Sequence, residues 1–221
     1  SARRKNTKEQ IMKNLTLLVL LFSFSTIGSA QQFFLDLGTS TTSLEYLNSS
    51  GQSLENLYAV NNNQMQAGYK YSKPDDYLSY TIALSYSGYG AVGSDTLFQN
   101  YMDYNLNYAQ FHAGVDIKMF SFSGFDFEFK ANTSFGVLLQ GTQTLNNQVF
   151  DLVGHQEFDN TLFSIAEGVS ATRSISDNTS VYVQLMHSWG IPAGISRKAD
   201  VERWNVKSNS VSFGVLIDLN K

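Results

Sequence analysis

Eight charged residues sit at alternate positions of segments that otherwise alternate apolar with small polar side chains: Asp36, Lys70, Asp116, Lys118, Asp126, Glu128, Lys130 and Asp218. Successive side chains of a strand point to opposite faces, so these residues share the face turned away from the apolar one. Acids and bases enclosed together on one face form ion pairs and hydrogen bonds, and the set predicts a salt-bridged plug, with a proton or ion relay as the alternative chemistry. Glu167 breaks the pattern, because it falls in phase with the apolar Phe163, Ile165, Val169 and Ala171. Across the tight turn at 175–178 its expected neighbour is His187. Two polar groups meeting on an apolar face imply either a local irregularity that turns both inward or another protein packed against them.

Other residues of chemical interest carry less. His187 and Ser188 have the types of a base and a nucleophile, but adjacent strand residues face opposite ways, so the imidazole is badly placed to activate that hydroxyl. No catalytic residue is assigned, and the chain is not expected to be an enzyme. Asp151, His155, Glu157 and Asp159 share odd parity and would hold a divalent ion only in an extended loop. No metal site and no cofactor are expected.

The elements that must position these residues are strands. Leu78, Tyr80, Ile82, Leu84 and Tyr86 alternate with Ser79, Thr81, Ala83 and Ser85, and similar stretches cover about 32–43, 63–72, 77–90, 100–119, 125–140, 160–174, 179–189 and 207–219. The intervening segments alternate long and tight, with tight turns at Lys73–Asp76, Ser121–Gly124 and Ile175–Asn178. An even number of strands joined this way predicts a closed, all-β, eight-stranded antiparallel up-and-down transmembrane barrel. Around Pro74 the pairing predicts Tyr71 opposite Leu78, Tyr69 opposite Tyr80, Ala67 opposite Ile82 and Met65 opposite Leu84. Around Ser121–Gly124 it predicts Met119, Ile117, Val115 and Phe111 opposite Phe125, Phe127, Phe129 and Thr133, with Lys118 opposite Asp126. Strand four shows a change of phase, because Tyr104, Leu106 and Tyr108 are even-numbered while Phe111, Val115 and Ile117 are odd; a bulge near Tyr108-Ala109 is expected to reconcile them. Aromatic residues near the strand ends predict two interfacial girdles, Tyr71, Tyr77, Phe120, Phe122 and Phe125 at one end and Tyr86, Tyr89, Tyr101, Trp189 and Trp204 at the other.

The amino-terminal segment points to export. Arg3, Arg4, Lys5, Lys8 and Lys13 precede the apolar run Leu15 to Phe24, and Ile27-Gly28-Ser29-Ala30 forms a small-residue cleavage site. Residues 1–30 are therefore read as a signal peptide, with 1–11 an over-extended start before Met12, and residues 31–221 as the barrel domain. The mature chain carries 10 Lys+Arg against 18 Asp+Glu, a formal charge of −8 over 191 residues, which argues against a nucleic-acid partner. Without cysteine, its stability rests on the ladder and on packing. Mean hydropathy is only −0.18, as expected where alternate residues meet lipid and the rest a polar interior.

The last strand reads Ser212-Phe213-Gly214-Val215-Leu216-Ile217-Asp218-Leu219. Ser212, Gly214, Ile217 and Leu219 fill the places of the carboxy-terminal insertion signal of outer-membrane barrels, although its last two positions are aliphatic here and Asn220-Lys221 follow. Over residues 31–221 the chain resembles the small OmpA/OmpX-type, porin-like outer-membrane barrels, and its Gln31-Gln32 start and Tyr/Asn/Ser-rich strands resemble Bacteroidota members. The resemblance implies a bacterial outer-membrane location with both termini periplasmic. It also implies contact with outer-membrane lipid and lipopolysaccharide, and with the insertion machinery during biogenesis. The expected role is that of a barrel without an open pore, a structural or accessory subunit bound to another outer-membrane protein. A conduit for small solutes or hydrophobic compounds and a lipid A-modifying enzyme are the alternatives.

Overall fold

The computed structural model describes residues 31–47, 57–72, 76–95, 100–153, 161–193 and 203–219. The proposed signal segment, and His155, Glu157 and Asp159 of the loop acids, lie outside these residues. Nine strands are present among the described residues: β1 Gln31–Leu47, β2 Leu57–Ser72, β3 Leu78–Asp95, β4 Asn100–Phe122, β5 Phe125–Leu145, β6 Gln148–Asp151, β7 Thr161–Ser176, β8 Thr179–Ala193 and β9 Arg203–Asp218. Each barrel strand pairs antiparallel with its sequence neighbour, and β1 pairs with β9 from Gln32↔Asp218 to Leu47↔Arg203, which closes an eight-stranded up-and-down barrel. β6 pairs only with the end of β5 and forms a short hairpin above the rim, inside what the sequence suggested was one long loop. Its turn, Asn146-Asn147, has φ of 48° and 69°, and the β4–β5 turn, Ser123-Gly124, has φ of 52° and 81°. Both dipeptides thus have the two positive φ values of a type I′ hairpin, for which Asn and Gly are suited.

A walk along hydrogen-bonded neighbours sets the geometry of the cylinder. Starting at Asn61 on β2, it passes Thr41, Asn209, His187, Glu167, Ala131, Val115 and Tyr80 and returns to β2 at Tyr71, ten residues further along the strand. With about 3.3 Å per residue and 4.8 Å between eight strands, that stagger tilts the strands by about 40° from the barrel axis.

Even-numbered residues of β1, of β2 from Val60, of β4 as far as Lys118, and of β7, β8 and β9 point inward and odd-numbered ones outward, while the extra residue Met119 turns Phe120 and Phe122 outward. Leu78, Tyr80, Ile82 and Leu84 on β3 and Ala109, Phe111, Ala113 and Ile117 on β4 coat the outside as a continuous apolar wall. Two pairing expectations shift by two residues. Tyr71 faces Tyr80, Tyr69 faces Ile82, Ala67 faces Leu84 and Met65 faces Tyr86. Likewise Ile117, Val115 and Phe111 face Phe129, Ala131 and Phe135. Met119 is an extra residue between the pairs Lys118↔Glu128 and Phe120↔Phe127, so the two-residue turn and the ladder both fit.

The expected change of phase on β4 does not occur. Tyr104, Leu106 and Tyr108 are buried inside the barrel on the same side as Gln110 and Asp116, while Asp103, Asn105 and Asn107 take the outer side. The irregularity lies on β5 instead, where Leu139 is unpaired between Asn107↔Gln140 and Tyr108↔Leu138. The polarity inverts because β4, at 23 residues, is about twice as long as the roughly 9–11 needed to cross the hydrocarbon. Beyond the membrane, water bathes the outer wall, so polar groups turn outward and apolar ones inward, as in a soluble barrel. Tyr89, placed in the outer girdle from sequence, also points inward for this reason, whereas Tyr77, Tyr86, Tyr101, Phe120, Phe122 and Trp189 are exposed on the outside.

Candidate functional site

Three layers fill the interior. The lowest, at the end with the tight turns, gathers the charged residues. Lys70 Nζ lies 2.6 Å from Glu128 Oε1 and 3.3 Å from Asp116 Oδ2, and Lys130 Nζ approaches the same Asp116 oxygen at 3.4 Å. Ser170 Oγ donates to Glu128 Oε2 at 3.3 Å. Asp36, buried on β1, accepts hydrogen bonds from Tyr182 OH at 2.8 Å and Gln184 Nε2 at 3.4 Å, and Lys130 Nζ sits 5.5 Å from the centre of the Tyr182 ring. Lys118 and Asp126 pair at 2.9 Å near the rim, and Gln32 Nε2 donates to Asp218 at 2.6 Å. The direct cross-strand partners are Asp116↔Lys130 and Lys118↔Glu128, which the sequence register placed as diagonals; Lys118–Asp126 is the diagonal.

Glycine makes part of this layer possible. Tyr182 on β8 crosses Gly214 on β9 to reach Asp36 on β1, and a Cβ at Gly214 would lie 2.3 Å from the Tyr182 ring carbon Cζ. Gly214→Ala is therefore expected to displace the ring, break the hydrogen bond to a buried carboxylate and destabilise the barrel by about 2–3 kcal/mol. Urea unfolding in lipid vesicles measures this, and an unchanged midpoint would refute the packing argument. Ser212, another residue of the expected insertion signal, is buried and accepts from Gln184 Nε2 at 2.9 Å. Ile217 points outward, and Leu219 is exposed just beyond the end of β9.

The middle layer, which the sequence reading missed, is a polar chamber of about 70 Å³. Small residues at inward mid-strand positions leave it open: Ser85, Ser87, Ser134, Ser164, Ser188, Ser208 and Ser210, beside Gln110, His112 and Asn132. At roughly 30 Å³ per water, it has room for about two waters. Ser85 Oγ and His112 Nε2 lie 2.7 Å apart, with Asn132 beside the same imidazole. Repeated serine at even positions of β7, β8 and β9 was the available signal for this chamber.

The upper layer is apolar: Leu44, Tyr89, Ala91, Tyr104, Leu106, Tyr108, Leu138, Leu162 and Val206 fill the lumen, and Leu152, just after β6, folds in with them. The Tyr89 and Tyr108 rings meet edge to face with centroids 5.7 Å apart, and Tyr89 OH donates to Gln110 Oε1 at 3.1 Å, joining plug to chamber. The chamber is thus bounded by ion pairs on one side and by aromatic and aliphatic side chains on the other.

The outer wall carries the remaining feature. Glu167 and His187 are direct partners in an unshifted stretch of the β7–β8 ladder, and both point outward, so no local irregularity turns them in. On β7, Glu167 has Phe163 and Ile165 on one side and Val169 and Ala171 on the other, which places it near the middle of the lipid-facing band. His187 Nδ1 hydrogen-bonds Asn209 Oδ1 at 2.6 Å, and Thr41 Oγ1 donates to Asn61 Oδ1 at 2.7 Å. Glu167, His187, Asn209, Thr41 and Asn61 are consecutive steps of the ladder walk described above, so they form one polar row perpendicular to the strands. An open groove of about 500 Å³ runs beside it, bordered by Thr39, Thr41, Val169, Leu185, Asn209 and Val211. His187 and Ser188 lie on opposite sides of the wall, Ser188 bonding Ser208 Oγ inside at 2.7 Å.

No protein-family model matches the chain, and no curated protein matches it. Among solved structures, the chain is similar to Neisserial surface protein A, at 13% identity over 85% of this chain and 97% of that one, with a TM-score of 0.46. It is also similar to a major outer membrane protein from Thermus thermophilus, at 9% identity over 86% and 100% of the two chains with a TM-score of 0.48. The outer membrane protein OprG from Pseudomonas aeruginosa is a third, at 10% identity over 87% and 97% with a TM-score of 0.46. The architecture is that of a closed eight-stranded up-and-down barrel, and at these distances the likenesses assign no residue a role.

Proposed function

We propose that this chain is a non-conducting, non-catalytic barrel of the bacterial outer membrane, with both termini on the periplasmic side, that serves as an accessory subunit by packing its β7–β8–β9–β1 wall against another integral membrane protein. The observation that carries this reading is Glu167, with His187 beside it, facing outward between the apolar Phe163, Ile165, Val169 and Ala171. A charge facing hydrocarbon at mid-depth costs on the order of 2–4 kcal/mol, somewhat less for an acid, and an ionisable group there marks a site with a partner. The opposite wall, β3 and β4, has no such group among its described outward residues at that depth. Interior layering supports the non-conducting part, and the separation of His187 from Ser188 supports the non-catalytic part. Affinity purification of the tagged chain from native membranes in mild detergent tests the reading: Glu167→Leu should release the membrane protein retained by the wild type. Identical retention by both would contradict it.

A further inference from the structure

The wall that binds a partner also indicates which partner it fits. We propose that it is a second copy of this chain, the two related by a twofold axis along the membrane normal that passes between Glu167 and His187; this rests on reading the wall as a protein interface. Glu167 is an acceptor with no hydrogen-bond or ion-pair partner among the described residues. Its ladder neighbour His187 uses Nδ1 toward Asn209, which leaves Nε2 for a second partner. A twofold axis between two such neighbours sets each acid against the other copy's imidazole, so one contact made twice satisfies both groups. A patch of one sign has no such solution, because a twofold interface places the same surface on both sides.

Strand geometry agrees. Two barrels of the same hand, each tilted about 40°, cross their facing strands at about 80°, so the strands of one copy run nearly along the ladder rows of the other. The polar row follows a ladder row and therefore lies along the length of a strand of the second copy. The groove beside the row offers room for side chains from that copy, with Gly168 in its floor. Ile165, Val169, Leu185 and Trp189, all exposed, flank the pair with apolar surface, and Trp189 packs edge-on against His187 at 4.2 Å.

The experiment is a charge swap read by mass. In lipid nanodiscs or in density-matched detergent, the wild type should sediment as a dimer. Glu167→His alone and His187→Glu alone should each weaken association at least about tenfold, since like groups then face each other. The double swap, E167H with H187E, should restore the dimer because the twofold axis again pairs acid with imidazole. Because the two residues are also ladder neighbours within one barrel, the heat-modified gel shift must show every variant equally folded; loss and rescue of the dimer at equal folding supports the interface, and loss that follows the folded fraction overturns it. A second readout uses Glu167→Cys in one tagged copy and His187→Cys in another, co-expressed: oxidation in native membranes should cross-link the mixed pair more than either alone. A folded wild type that stays monomeric while still retaining a different membrane protein overturns the second copy but leaves the accessory-subunit reading standing. A monomer that retains nothing overturns both.

Discussion

Lys70→Met should destabilise the barrel by about 3–5 kcal/mol, more than any outward-facing substitution, because removing one partner of a buried ion pair leaves the other charges uncompensated. Lys70, Lys130, Asp116 and Glu128 balance two positive against two negative charges, all of them largely shielded from solvent. Without Lys70, Lys130 still reaches Asp116 at 3.4 Å, but Glu128 keeps only the 3.3 Å bond from Ser170. Neutralising the excess acid as well, by adding Glu128→Gln to Lys70→Met, should recover a large part of the loss. Urea midpoints in vesicles for the single and double variants measure the coupling. A double variant as unstable as the single would show that the ion pairs are not what holds the lower layer.

Ion conduction is the second large effect. The two plugs lie in series, so the tighter one sets the total resistance, and opening either alone should leave the barrel closed. Replacing Tyr89, Tyr104 and Tyr108 by Ala removes much of the upper layer but leaves Lys70, Asp116, Glu128 and Lys130 in place below the chamber. Replacing Lys70, Glu128 and Lys130 by Ala leaves the aromatic layer, and an apolar constriction blocks ions by excluding water. Combined, the six substitutions connect the chamber to both mouths and should raise single-channel conductance in planar bilayers by about an order of magnitude or more over either set alone. Discrete openings from the wild type, or full conduction after only one set, would refute the layered interior.

These predictions draw unequally on the sequence. The eight strands and the inward set of charges follow from alternation alone, since strand faces repeat every two residues; the Glu167–His187 pairing further depends on the extra residue Ile175, which lies between Ser174↔Ser180 and Ser176↔Thr179 and shifts the register by one. The β2–β3 and β4–β5 registers did not follow, for the same reason: a slip of two residues keeps every side chain on its face, so hydrophobic pattern does not distinguish Tyr71 opposite Leu78 from Tyr71 opposite Tyr80. Met119 as an extra residue decides the β4–β5 register, and the pair Ser72↔Ser79 sets that of β2–β3. Tyr104, Leu106 and Tyr108 were misread because an apolar residue was assumed to face lipid. That assumption fails where β4 leaves the hydrocarbon, and strand length beyond the membrane is not written in a local pattern. The chamber escaped notice because serine at an inward position is compatible with either a filled lumen or a space.

One scan of β4 separates the account from its competitors. Nitroxide labels at successive positions from 103 to 117, in lipid vesicles, report collision with oxygen in the hydrocarbon and with an aqueous nickel chelate outside it. The structure predicts oxygen contact at 109, 111, 113, 115 and 117, nickel contact at 103, 105 and 107, and protection from both at the even positions from 104 to 116. Oxygen contact at 104, 106 and 108 would mean that the strand changes phase and the apolar plug does not exist.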